Sequence, residues 1–140
     1  MSEIGKLAEK YYRDEKYNCS EGVIRAANEY YSLGLGDEDM KMVSGFGAGM
    51  FSGLVCGALT SSVAAVSKMI IKTKAREQMD ELRPKIHETV KTFQEYLGGT
   101  TCKELKPKYF TKEDMCLKTT VLAAEALEMA VDKVIYGKEA

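Results

Sequence analysis

The chain has 140 residues, a 45% hydrophobic and 29% charged composition, and a formal net charge of -1, which suits one compact domain with its own core. These proportions exclude a disordered or low-complexity chain, and the interspersed Lys, Arg, Asp and Glu exclude a nucleic-acid partner, which requires a massed basic face. Pro84 and Pro107 are the only prolines and helix-favouring residues abound, which argues against a turn-rich β fold. The expectation is a single all-α domain over residues 1–140, a bundle of about five to six helices around a central glycine-rich, charge-free helix.

From Ile4, apolar positions recur at helical spacing through Leu7, Ala8, Tyr11 and Tyr12 until the polar stretch Arg13 to Lys16. No apolar core with a cleavage site follows Met1, so a cytoplasmic chain is expected, one whose thiols are held for metal binding or reversible oxidation rather than for permanent disulfides. Ser20 is the predicted cap of a second helix with the face Val23, Ile24, Ala27, Tyr30 and Tyr31, stopped by Gly34 and Gly36; Cys19 falls just ahead of it.

Asp37 is the predicted cap of a segment through Met40 and Val43, after which no charge appears until Lys68. Five glycines and the lack of a dense Leu/Ile/Phe run argue against a membrane span and for a helix buried on all sides. Gly45, Gly49, Gly53, Gly57, Ser61 and Ala65 recur every four residues beside Ser52, Cys56, Thr60 and Ala64, leaving one smooth flank. Phe51, Leu54, Val55, Leu59, Val63, Val66 and Ile70 would supply the bulky core side. Glycine costs about 1 kcal/mol per helix position relative to alanine, so such a row implies a close approach by a helix, a second subunit or a cofactor. Gly49, Gly53 and Gly57 are the candidates for cofactor contact, and the same face is the candidate surface for a homodimer.

A long helical pattern next runs through Met79, Leu82, Ile86, Val90, Phe93 and Leu97, with Pro84 expected to kink or restart it. Gly98 and Gly99 end it, and Thr100 and Thr101 can cap a brief turn that carries Cys102 and Leu105 and closes at Pro107. Thr111 to Asp114 has the form of a capping box opening the last helix, with Cys116 near its first turn. That helix has a regular apolar face: Val121, Leu122, Ala126, Leu127, Ala130, Val131 and Val134.

Cys19, Cys56, Cys102 and Cys116 form no CxxC pair. Three of them fall at or near predicted helix starts, where free N–H groups lower a thiol's pKa, so readily ionised sulfurs are expected. Tight packing with Cys56 as a small core residue is the plain alternative.

The residues resemble a known family, the C-GCAxxG-C-C proteins, which have four cysteines and a CGAxxG motif. Asn18 to Gly22 is similar to the segment around the first family cysteine, and Gly45 to Gly49 to the glycine-rich run before the second. Cys56 to Ser61 resembles the named motif, with Ser61 in place of its final glycine. Thr101 to Leu105 and Cys116 ahead of Ala123 to Leu127 resemble the remaining two elements, so the likeness spans nearly the whole chain. It implies a helical protein with redox chemistry at its cysteines and no assigned substrate. Similarity of the family to part of a multihaem electron-transfer protein with an iron–sulfur centre raises the expectation of a cluster; the chain has no CxxCH site, so haem does not carry over.

Four converging thiolates suit an iron–sulfur cluster or, as the alternative, zinc, with Cys19, Cys56, Cys102 and Cys116 as metal ligands. Dithiol exchange is the rival chemistry, for which Cys102 and Cys116 are the candidate catalytic pair, working with a redox partner protein not named by the sequence. A non-catalytic helical binding or dimerisation module holding zinc or buried free cysteines is the remaining reading. His87, the only histidine, sits among charged residues and reads as surface. No strand precedes the glycine run, so no nucleotide site is expected. The tyrosines read as packing residues rather than ligands.

Overall fold

In the computed structural model, which describes residues 1–138, three helices begin where a side chain answers free N–H groups. Ser2 accepts from the Gly5 amide and opens α1 (Glu3–Glu9). Asn18 and Thr101 open α2 (Cys19–Tyr31) and α6 (Cys102–Tyr109), each within a capping box closed by Glu21 and Glu104. Such reciprocal caps fix the helix start to the residue, so Cys19 and Cys102 are each the first residue of a helix. Cys19 is therefore inside α2, not ahead of it, because Asn18 rather than Ser20 is the cap.

The remaining helices are α3 (Asp37–Met40), α4 (Gly57–Ile70), α5 (Met79–Leu97) and α7 (Leu117–Val134). Among the described residues seven α-helices, rather than about five or six, form the all-helical domain. Helix α2 packs on α4, α5 on α7, and α1 across α2 and α7, while α4 touches α2, α5 and α7 and so holds the central place. Ile4, Val23, Val66, Phe93, Leu127 and Val131 meet in the core, and the expected apolar face of α7 is the one that is buried. Pro84 neither ends nor restarts α5, which runs through it to the left-handed Gly98 cap. No helix among the described residues is long and apolar enough to cross a membrane.

The continuous helix expected across the charge-free segment does not form. A 3-10 turn covers Lys41–Phe46, and the helix proper begins only at Gly57. Between them Ala48, Gly49, Met50 and Phe51 are all left-handed, with φ of 52, 62, 60 and 52°. Left-handed backbone costs an L-residue roughly 1–2 kcal/mol, so this turn holds strain that its surroundings must offset. Gly45, Gly49, Gly53 and Gly57 consequently share no helix face. Phe51, Leu54 and Val55, expected in the core, are 71%, 55% and 39% exposed, whereas Leu59, Val66 and Ile70 are buried.

What the broken segment does instead is cross the loop ahead of α6. The Cys56 amide donates to the Thr100 carbonyl at 2.9 Å and the Cys102 amide to the Leu54 carbonyl at 2.8 Å. This short antiparallel pairing, centred on Val55 and Thr101, ties the chain at Cys56 to the chain at Cys102 across 46 positions (102 minus 56). The capping-box pattern at Thr111 is likewise used differently: the Thr111 hydroxyl accepts from the Asp114 amide at 3.0 Å inside a tight turn, and α7 begins after it.

Candidate functional site

Four helix starts point at one spot. Cys19 and Cys102 are the first residues of α2 and α6, and Cys56 and Cys116 immediately precede α4 and α7. All four line a single cavity of about 30 Å³, together with Ala48, Gly49, Gly57, Leu105, Lys106 and Thr119. Cys19 and Cys56 are buried, Cys102 and Cys116 are half-buried, and all four are free thiols. Of the three glycines expected at a cofactor, Gly49 and Gly57 reach this wall and Gly53 does not.

The close approach that glycine permits is made by the chain itself. A Cβ at Gly57 would lie 2.5 Å from the Phe46 carbonyl oxygen and 3.1 Å from Ser20 Cβ. Ser61, the departure from the family motif, strengthens the same α2–α4 contact, because its buried hydroxyl donates to the Ser20 carbonyl at 2.7 Å.

The expectation of readily ionised thiols is overturned for two of the three cysteines it covered, Cys19 and Cys116, and Cys56 shifts the same way. Burial pushes the Cys19 and Cys116 thiols up and raises Cys56 to about 12. Amide N–H groups of Ala48 and Ser20 at the Cys19 sulfur, and of Ala58 and Leu59 at Cys56, pull in the opposite direction without prevailing. Helix starts do supply donors to sulfur, as the sequence implied, yet desolvation of the charged form outweighs them. The thiols also raise one another, Cys56 through Cys19 and Cys102, and Cys116 through Cys19 and Cys102. A cation among them would reverse that balance.

A stability consequence follows for the metal-free, reduced protein. The folded Cys56 thiol holds its proton to higher pH than the unfolded one, so its contribution is complete below about pH 9 and is lost as pH climbs towards the folded value. Stability should fall by up to about 1.4 kcal/mol per pH unit across that window. Urea midpoints of wild type and Cys56→Ser from pH 8 to 11 should diverge accordingly; parallel curves would refute the assignment.

Tyr12, read from the sequence as a packing residue, belongs to the site. The Cys116 amide donates to its hydroxyl at 2.9 Å. It reaches there from a π-helical turn, Lys10–Asp14, that continues α1. His87, as expected, is exposed.

Four sulfurs with no histidine or carboxylate in the wall match the donor preference of iron–sulfur clusters and of zinc. Among the described residues, no three His, Cys, Asp or Glu side chains are gathered at metal-enclosing distances. A cavity of about 30 Å³ holds one or two water-sized bodies. The donor chemistry therefore fits, while the volume fits an ion more closely than a cluster of several irons.

No curated protein and no solved structure matches the chain. One family model does, described as "Putative redox-active protein (C_GCAxxG_C_C)", and it spans residues 17–130, from just ahead of Cys19 to well beyond Cys116. With all four cysteines inside that match and gathered on one cavity, the chain belongs to the C-GCAxxG-C-C family.

Proposed function

We propose that Cys19, Cys56, Cys102 and Cys116 hold one iron–sulfur centre that passes single electrons to and from a partner protein. The supporting observation is the delivery of four sulfurs from four separate helix starts to a common cavity. A bound cluster would supply the redox couple, its sulfur ligands carrying part of the added charge. The chain's own groups prepare for that charge: the Ala48, Ser20, Ala58 and Leu59 amides already face the Cys19 and Cys56 sulfurs. Helices α2 and α4 exclude water from those two, and the half-buried Cys102 and Cys116 form the side nearest solvent, where a partner would approach. With a cavity of about 30 Å³, a cluster would require an outward shift of the wall, and the left-handed turn, where Ala48 and Phe51 are exposed, is where this reading places it. This reading places the chain in a reducing compartment such as the cytoplasm.

Thiol–disulfide exchange by Cys102 and Cys116 is the second reading, favoured by their greater exposure and by the small cavity. In it two thiols lose two electrons and two protons to a disulfide of the partner, which leaves as two thiols.

Anaerobic purification followed by iron, sulfide and zinc analysis and a visible spectrum separates these. Iron and sulfide with visible absorption are expected. Colourless, metal-free protein with one reducible disulfide would replace the cluster with dithiol chemistry, and colourless zinc protein would make the site structural.

A further inference from the structure

We infer that the thiol pocket is bordered by a docking face for an acidic redox protein, made of the apolar turn Met50 to Val55 and the lysine-bearing flank of α6. The inference rests on the reading of the pocket as a redox centre, and deepens it by giving the partner a surface chemistry.

Apolar side chains are exposed where the chain wraps the pocket. Five of the eleven large hydrophobic side chains exposed among the described residues stand here: Met50, Phe51, Leu54, Val55 and Phe110. Single exposed apolar residues need no explanation, whereas a cluster of them marks an interaction surface. Its position is fixed by the site itself. Ala48 and Gly49, directly ahead of Met50, line the thiol cavity; the Leu54 carbonyl accepts from the Cys102 amide, and Val55 pairs with Thr101. Met50 and Phe51 are also held in left-handed backbone while their side chains stay in water, so burial of those side chains does not offset the strain.

The charge beside this patch is of one sign. From Cys102 to Lys112, Lys103, Lys106, Lys108 and Lys112 stand against Glu104 alone, a net +3 on a chain whose net charge is -1. Glu104 is engaged in the capping box of α6, and none of the four lysines makes an ion pair among the described residues. Lys103, Lys106 and Phe110 recur at i, i+3 and i+7, so they share one flank of the helix. Lys106 lines the thiol cavity, and its Nζ stands 4.9 Å from the Phe110 ring centroid. The next acids, Glu113 and Asp114, line a separate groove with Arg13 and Lys16. An apolar centre beside unpaired lysines is complementary to an apolar patch rimmed by carboxylates. A second copy of this chain does not supply one at a twofold contact, which would set the lysines against themselves.

The test is calorimetric titration of the anaerobically purified full chain with two acidic redox proteins, a plant-type ferredoxin and a thioredoxin, and with the basic cytochrome c as counter-probe. Binding is read apart from electron transfer, so either can fail alone. At least one acidic probe should bind and cytochrome c should not. The affinity should fall tenfold or more between about 0.1 and 1 M salt, as the screening length shrinks from about 10 to 3 Å. Lys103→Glu and Phe51→Ser should each weaken binding by about fivefold. Both side chains are exposed and neither lines the cavity, and glutamate in the first turn of α6 favours the helix, so metal and thiol content should match wild type. Lys72→Glu makes the same change of net charge at an exposed residue past the far end of α4 and should weaken binding by less than about twofold. The inference is overturned if neither acidic probe binds, or if Lys72→Glu matches Lys103→Glu. Tighter binding to phosphatidylglycerol vesicles, lost in Phe51→Ser, would overturn it in favour of a lipid surface, and self-association lost in Phe51→Ser in favour of a second copy. A probe that binds through Lys103 and Phe51 yet exchanges no electrons with the chain would end the redox reading and leave the face as a site for an acidic protein.

Discussion

Gly57→Ala is expected to lower stability by about 3 kcal/mol or more, at the upper end of what overpacking costs, and to lower Tm by roughly 10 °C. The added methyl would stand 2.5 Å from the Phe46 carbonyl oxygen and 2.9 Å from its carbon, both backbone atoms, with Ser20 Cβ at 3.1 Å. No rotamer change relieves an overlap with backbone, so α4 must draw back from α2 and from the 3-10 turn. Alanine's better helix propensity, about 1 kcal/mol, offsets only part of this. Gly45→Ala is the matched control, since nothing lies within 4 Å of its added methyl and a change within about 0.5 kcal/mol is expected there. Paired thermal melts decide the matter: equal effects at the two positions would show that α4 is not seated as described. Because the amides of Leu59 and Thr60 donate to the Cys56 carbonyl at 2.9 and 3.1 Å, a displaced α4 also carries Cys56 away from the other thiols.

These two glycines illustrate where sequence reasoning held and where it gave way. The period of four from Gly45 to Gly57 suggested one helix flank, and the inference that something approaches the backbone was right at Gly57. Periodicity alone cannot separate a glycine that permits close packing from one that permits a left-handed φ, however, and Gly49, at φ 62°, is of the second kind. Once Ala48 to Phe51 turn left-handed, the helical registry that placed Phe51, Leu54 and Val55 in the core is lost. Helix α7 was legible because its apolar face repeats over 18 residues without a glycine or proline to interrupt it. Convergence of the cysteines was an expectation that their local positions could not establish: Cys56, read as lying within the charge-free helix, in fact stands at the N-cap of α4, because the left-handed turn ahead of it ends the helical registry.

The ionisation of those cysteines was not legible, because it depends on a competition between two effects of the same site. Helix-start amides and desolvation act together on Cys19 and Cys56, and only the buried geometry tells which is larger. Tyr12 was illegible for another reason. Its spacing with Leu7, Ala8 and Tyr11 is that of a packing face, and neither the π-helical turn that re-aims it nor a partner 104 residues away leaves a local mark. A polar-tipped aromatic at the end of an amphipathic face was the available hint, since a buried tyrosine hydroxyl requires a partner.

Cys56→Ser should lower iron affinity by about two orders of magnitude or more while leaving the fold intact. The estimate takes structural zinc sites as its guide, where binding energies of about 10–16 kcal/mol spread over four ligands come to about 3 kcal/mol for each. Stability is spared for a local reason. Cys56 occupies the N-cap of α4 without a side-chain cap bond, and serine is among the best residues for that position, with the Ala58 and Leu59 amides already directed at the side chain. The two chemistries part at this substitution. A four-sulfur centre loses a ligand, so iron retained against a competing chelator should collapse in Cys56→Ser as it does in Cys102→Ser. A dithiol formed by Cys102 and Cys116 needs nothing from position 56, so disulfide formation and its midpoint should survive Cys56→Ser and vanish in Cys102→Ser. Chelator competition and thiol–disulfide titration on the same two variants therefore assign the redox couple, and iron retention unchanged in Cys56→Ser would end the four-ligand reading.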